Sequence, residues 1–204
     1  MRTALISLFS LGLVAGLVIP ATLAATAPEG AKIGQAAPAF TLQSDQGKNV
    51  SLSDFPDKIV VLEWTNPGCP FVQRHYKEGT FVKLADKYKD KNVIWLAVNS
   101  TATATNESDH KWATDNHLSY PILNDSAGVV GQAYGAKTTP DLFIIDTHGK
   151  LAYMGGIDND PDGTNAATRI NYVDKALGEL ISGSTVTVPE TKSYGCGVKY
   201  PNAK

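Results

Sequence analysis

The chain has 204 residues, of which 43% are hydrophobic and 19% charged, and its formal net charge is -2. Near-neutral charge with no basic block argues against a nucleic acid partner. There is no internal repeat or low-complexity segment, and only two cysteines are present, Cys69 and Cys196.

The chain opens with a leader pattern. Arg2 precedes the uncharged run "ALISLFSLGLVAGLVIP", and "ATLAATA" supplies small residues for cleavage between Ala24 and Ala27. Residues 1–24 are therefore expected to be a signal peptide, and the protein exported, periplasmic if bacterial. The run is followed by small residues and not by a charged stop, so no stable membrane insertion is expected after cleavage. A retained leader acting as an anchor is the alternative.

After the Pro-containing entry "AAPAF", the segments "FTLQSD" and "KNVSLSDF" read as short strands joined at Gln46-Gly47. "KIVVLEW" is a continuous apolar run rich in β-branched residues, the mark of a strand covered on both faces. The stretch after Cys69 reads as a helix interrupted at Gly79. Thr80 is expected to cap a second piece with Phe81, Leu84, Ala85 and Tyr88 on one face. "NVIWLAVN" is the next buried strand, "SDHKWATDNH" a helix, "YPILND" a short strand, and "AGVVGQAYGA" a small helix ending at glycine. "TTPDLFIIDTHGKLAYMGG" reads as two strands joined at Thr147 to Gly149. A loop, "IDNDPDGTNAAT", then leads to a helix from Arg169 to about Ile181, with Ile170, Val173, Ala176, Leu177 and Leu180 inward.

Strands alternating with helices predict an α/β domain with a parallel sheet core and an antiparallel edge. That domain is expected over residues 34–183, followed by a tail over 184–204 that carries Cys196. Gly195 and Gly197 flank Cys196 and predict a flexible thiol.

The stretch "WTNPGCPFVQRHY" follows the first long strand directly. A helix starting near Pro70 places Cys69 at its N-terminus, where unpaired N–H groups and the helix dipole favour the thiolate. Pro70 suits the first turn because its missing N–H costs no hydrogen bond there. The thiolate is the form that attacks disulfides and peroxides.

The loop "W-x-N-P-x-C-P", made of Trp64, Asn66, Pro67, Gly68, Cys69 and Pro70, the element order, and the Thr138-Thr139-Pro140 stretch together resemble the thioredoxin superfamily. Within it they are similar to the exported, peroxiredoxin-like redoxins of the alkyl hydroperoxide reductase/thiol-specific antioxidant family. The resemblance implies a thioredoxin-like fold: a central mixed sheet flanked by helices, with an N-terminal strand extension and an extended C-terminal tail. It implies that Cys69 is the reactive thiol, that Pro140 is a cis-proline beside it, and that the Thr139 backbone is available to pair with a bound chain. Cys196 is expected to act as the resolving thiol, within the chain or between chains. The partners implied are an external thiol reductant and a peroxide or oxidised protein substrate.

The loop departs from both common patterns. Where C-x-x-C reductases carry their first cysteine, this chain has Asn66, and where typical peroxiredoxins carry P-x-x-x-T-x-x-C it has Leu62 and Asn66. Asn66 is expected to hydrogen-bond near the oxidant. Arg74 and Arg169 are the arginines remaining after the leader, with helix-end or surface positions expected for both, and His75 is expected to be a surface or helix-face residue. His110 and His117 have no partner at ligand spacing, and there is no C-x-x-C-H, so neither a metal nor another cofactor is expected. "DNDPDG" reads as a turn-rich surface loop. The competing reading is a non-catalytic thioredoxin-fold binding domain in which a Cys69–Cys196 disulfide is a permanent staple.

Overall fold

A computed structural model describes residues 30–201, so the expected signal peptide lies outside the described residues. Seven strands form one mixed sheet in the order β2-β1-β5-β4-β3-β7-β8. They are β1 (Thr41–Ser44), β2 (Asn49–Ser51), β3 (Ile59–Trp64), β4 (Val93–Asn99), β5 (Ile122–Asn124), β7 (Asp141–Ile145) and β8 (Leu151–Gly155). The β3–β4 and β4–β5 pairs are parallel, whereas β7 and β8 run antiparallel at one edge and β1 and β2 at the other. The expected parallel core with an antiparallel edge is thus present, with a second antiparallel edge from the N-terminal hairpin.

β3 is buried along its whole length, as its unbroken apolar run requires. Its alternate side chains feed two cores. Ile59 and Val61 pack with α1 (Pro70–Glu78), α2 (Thr80–Tyr88) and α5 (Tyr172–Ile181), while Val60, Leu62 and Trp64 pack on the other face with Val130 and Tyr134 of α4 (Val129–Tyr134). Helix α3 (Asn106–Asp115) contributes Ala113 to the first of these cores.

Gly79 separates α1 from α2 in a left-handed conformation, with φ 71°, as the interruption requires. It also occupies the cap position of α2, so Thr80 is that helix's first residue and not its cap. α5 begins later than expected, capped by the Asn171 side chain, which accepts from the Asp174 N–H. Arg169 is held outside the helix by Glu78 and Asp160, and Ile170 is 49% exposed and not inward. The acidic loop is likewise more than a surface turn. Asp158 and Asp160 are buried, and Arg169 Nη2 meets Asp160 at 2.9 Å.

The tail is extended, as expected, and over residues 184–201 it is held at several points. The Met154 N–H donates to Pro189 O at 3.0 Å, and Thr191 N–H donates to Met154 O at 3.1 Å. Residues Cys196–Gly197 form β9, antiparallel to β6 (Thr138–Thr139). The Tyr200 hydroxyl then donates to Ala136 O at 2.8 Å. Gly195 therefore reflects contact and not flexibility: its φ is +131°, and a Cβ there would collide with the Thr139 carbonyl oxygen.

Candidate active site

Three elements converge on Cys69. The end of β3 delivers the loop, and the Cys69 N–H donates to Asn66 O at 2.9 Å, closing a tight turn. α1 starts at Pro70 with Cys69 as its N-cap residue, which places the sulfur at the positive end of the helix. Thr139, at the end of β6 and joined to Pro140 by a cis peptide bond, supplies the opposite wall. The Cys69 side chain is 1% exposed, and its thiol donates to the Thr139 carbonyl oxygen at 2.9 Å.

Cys196 completes the group. It sits directly across from Thr139 in the β6–β9 register, and its thiol lies near enough to Cys69 to shift that residue's ionisation. Burial pushes the Cys69 thiol up, but the Cys196 thiol, the Thr139 side chain, the Val72 N–H and the Cys196 backbone outweigh it, so Cys69 titrates below the ordinary thiol value. The Cys196 thiol is pushed up to about 11, first by its hydrogen bond to Cys69 and then by burial. Both cysteines are free thiols in this structure.

The remaining loop residues shape the turn more than they face the sulfur. Asn66 Oδ1 accepts from the Gly68 N–H at 2.8 Å, and the Pro67 carbonyl accepts from Gln73 Nε2 at 2.8 Å. Trp64 is fully buried on the far side of the sheet, where its Nε1 donates to Ser100 Oγ at 3.0 Å and its ring meets Tyr134 and Phe143. It belongs to the opposite core from Cys69. The guanidinium of Arg74 donates to the carbonyls of Pro161 and Asp160, and that of Arg169 binds Glu78 and Asp160. Both arginines organise the 158–169 loop.

His75 corrects the surface expectation: it is fully buried on α1 and meets the Tyr194 hydroxyl at 3.0 Å. That hydroxyl donates to Asp158 Oδ1 at 2.5 Å. Spacing alone carried no signal for this triad, because its members come from a helix, a loop and the tail. Among the described residues no group of three or more His, Cys, Asp or Glu side chains is arranged to hold a metal ion, and no helix is long and apolar enough to cross a membrane.

The comparisons with known proteins fall on this same framework. The AhpC/TSA family model matches residues 33–154, which take in the N-terminal hairpin, the Cys69 loop, Pro140 and β7 and end within β8, before the tail that carries Cys196. The chain belongs to the AhpC/TSA family. The thiol-disulfide oxidoreductase ResA of Bacillus thuringiensis subsp. konkukian (strain 97-27) is 31% identical over 127 residues, 62% of this chain and 70% of that protein. An uncharacterized conserved protein from Geobacillus kaustophilus superposes with a TM-score of 0.75 at 30% identity, covering 85% of this chain and 94% of that one. A hypothetical protein from Sinorhizobium meliloti 1021 superposes with a TM-score of 0.76 at 25% identity, covering 86% of this chain and 98% of that one. The AhpC/TSA chain described here is accordingly an oxidoreductase of thioredoxin-like fold, with two cysteines brought together at one end of its sheet.

Proposed function

We propose that this AhpC/TSA protein is an exported thiol-disulfide oxidoreductase in which Cys69 attacks and Cys196 resolves. The observation that carries the reading is the seating of Cys196 opposite Thr139, beside the Cys69 sulfur. An extended, cysteine-bearing strand is thus held against Thr139, the residue whose carbonyl meets the Cys69 thiol.

In the first step the Cys69 thiolate attacks a substrate disulfide, forming a mixed disulfide and releasing one substrate thiolate. The Cys196 thiolate, formed as its proton leaves, then attacks the Cys69 sulfur. It forms the Cys69–Cys196 disulfide and releases the second substrate thiolate. Two electrons have passed to the substrate, and an external thiol reductant returns two electrons and two protons to restore both cysteines. Export follows from the leader pattern in residues 1–24, and the 34–183 domain and 184–204 tail act as one unit because the tail carries the second sulfur.

Peroxide reduction is the second reading, favoured by the single cysteine in the loop between Trp64 and Pro70. There the Cys69 thiolate takes one oxygen from a hydroperoxide and becomes a sulfenic acid, the alcohol or water leaves, and condensation with Cys196 releases water. A permanent staple fits less well, because the tail is held at Met154, Thr191, Tyr194 and Tyr200 without help from a disulfide.

The test is turnover with an external dithiol reductant, using a disulfide-bonded peptide or hydrogen peroxide as the oxidant. Catalytic loss of the peptide disulfide, abolished by Cys69→Ser, supports exchange. Turnover with peroxide alone moves the assignment to the second reading, and no turnover with either contradicts both.

A further inference from the structure

We propose that Tyr194 is a positioning residue that sets the approach of Cys196 to Cys69. It acts through a buried contact with His75 and Asp158. The inference rests on the resolving role of Cys196 proposed above and adds the device that makes resolution fast.

The geometry has a simple logic. Helix α1 carries Cys69 at its N-cap and His75 further along the same helix. Tyr194 places its hydroxyl 3.0 Å from His75 Nε2 and donates to Asp158 Oδ1 at 2.5 Å. Its ring lies against Phe71 and His75, with both centroid separations at 6.1 Å. A single rigid helix therefore holds both the attacking sulfur and the seat for the tail. Because the same helix fixes both points, the tail cannot slide along α1 without breaking the Tyr194 contacts.

The far end of the contact is equally fixed. Asp158 is 2% exposed, and its Oδ1 accepts from the Asp160 N–H at 2.9 Å. Between Tyr194 and Cys196 stands Gly195, pressed against the Thr139 carbonyl, which leaves the intervening backbone no room to bulge. Tyr194, Gly195 and the β6–β9 pair thus hold Cys196 at three successive points. A Tyr194 acting only as packing for the tail would be served by its ring alone. Instead, its hydroxyl donates to the buried Asp158 carboxylate of the 158–169 loop while lying 3.0 Å from His75 Nε2, on the helix that carries Cys69.

Reaction within one chain gains rate from fixed geometry, and a misplacement of about 1 Å can cost on the order of 100-fold. Tyr194→Phe keeps the ring and removes the hydroxyl, and Tyr194→Ala removes both. Neither change touches the reacting sulfur atoms.

The experiment uses the reduced full chain and a chromogenic aromatic disulfide, which separates the two steps. Attack by Cys69 releases one coloured thiolate, and displacement by Cys196 releases a second, so Cys196→Ser retains only the first phase. Tyr194→Phe is expected to leave the first phase within about twofold and slow the second by about 10-fold, and Tyr194→Ala to slow it by about 100-fold. In the Cys196→Ser background, Tyr194→Phe is expected not to change the release of the mixed disulfide by an added small thiol, a reaction that does not use the seat. If Tyr194→Phe loses its fold by circular dichroism, His75→Phe, which keeps a ring against Tyr194 and Phe81 and removes the imidazole nitrogen beside the hydroxyl, carries the same comparison. Unchanged second phases, or equal slowing of both phases, would overturn the positioning role while leaving the cysteine pair intact. Absence of a second phase in the unmodified protein would overturn the resolving role itself, and the inference with it.

Discussion

Cys196 lies across from Thr139 in the β6–β9 pair, and the carbonyl of that same Thr139 accepts the hydrogen bond of the Cys69 thiol. One residue therefore registers both sulfurs. Because Thr139 precedes Pro140 and β7, the register is tied to the central sheet and not to the surface. The tail reaches this point as a strand, so its cysteine arrives with its backbone already ordered.

The ionisation of Cys69 follows from this arrangement. Burial opposes the thiolate, but the Cys196 thiol is the largest of the contacts that favour it. The rate of iodoacetamide alkylation at Cys69 should therefore rise with a midpoint below the ordinary thiol value of about 8.5. Cys196→Ala should raise that midpoint, because it removes the contact that most favours the thiolate. A midpoint at or above the ordinary value in the unmodified protein would contradict the assignment of Cys69 as the nucleophile.

Asn66 is expected to hydrogen-bond near the oxidant, and in the structure its Oδ1 accepts from the Gly68 N–H within the turn. Asn66→Ala should therefore slow alkylation and oxidation of Cys69 by similar factors, as loss of loop shape affects both. Selective slowing of peroxide oxidation, with alkylation unchanged, would restore the direct role. Paired rate measurements on the one variant decide between them.

Gly195→Ala tests the close approach of the tail to Thr139. The added Cβ meets a backbone carbonyl and the residue has a φ of +131°, so the variant should lose about 1–3 kcal/mol of stability or release the tail locally. Urea unfolding reads the first outcome, and proteolysis of the 184–201 segment reads the second. A variant as stable and as protease-resistant as the parent would show that the tail is not pressed against Thr139.

Glu63 supplies a pH signature independent of the thiols. It is buried under Tyr76, Trp95 and Tyr120, whose donors lie at 2.8, 2.9 and 3.3 Å, yet burial raises its carboxyl to about 7. The folded chain holds this proton between the unfolded and folded pKa values, so stability is fully present below about 4.5 and is lost as pH rises through about 7. The difference in unfolding free energy between the parent and Glu63→Gln should change by about 3 kcal/mol across that window. A difference independent of pH would contradict the raised carboxyl.

Local patterns in the chain reported the elements they control directly. The apolar run of β3, the break at Gly79, the helix start at Pro70 and the hairpin at Thr147 to Gly149 each have a short-range physical cause, and each is present. The same is true of Pro140, whose cis bond followed from the resemblance and is found. Partnerships between distant residues left no such trace. His75 reads as a helix-face residue until Tyr194 arrives from the tail, and Arg169 reads as the start of a helix until Asp160 and Glu78 draw it into a loop. Gly195 misled in the opposite direction: a glycine beside a cysteine suggests freedom, whereas here it marks contact too close for a side chain. The cysteine pair was legible as a possibility because only two cysteines exist, but the strand that seats Cys196 was not.

The most direct test of the account is peptide mapping of the fully reduced protein after brief exposure to one equivalent of a small disulfide oxidant, at protein concentrations low enough to suppress reaction between chains. The account predicts a peptide pair joined through Cys69 and Cys196 within one chain, and in Cys196→Ser a mixed disulfide trapped on Cys69. A stable adduct on Cys196 with Cys69 left reduced, or no bond between the two, would contradict it.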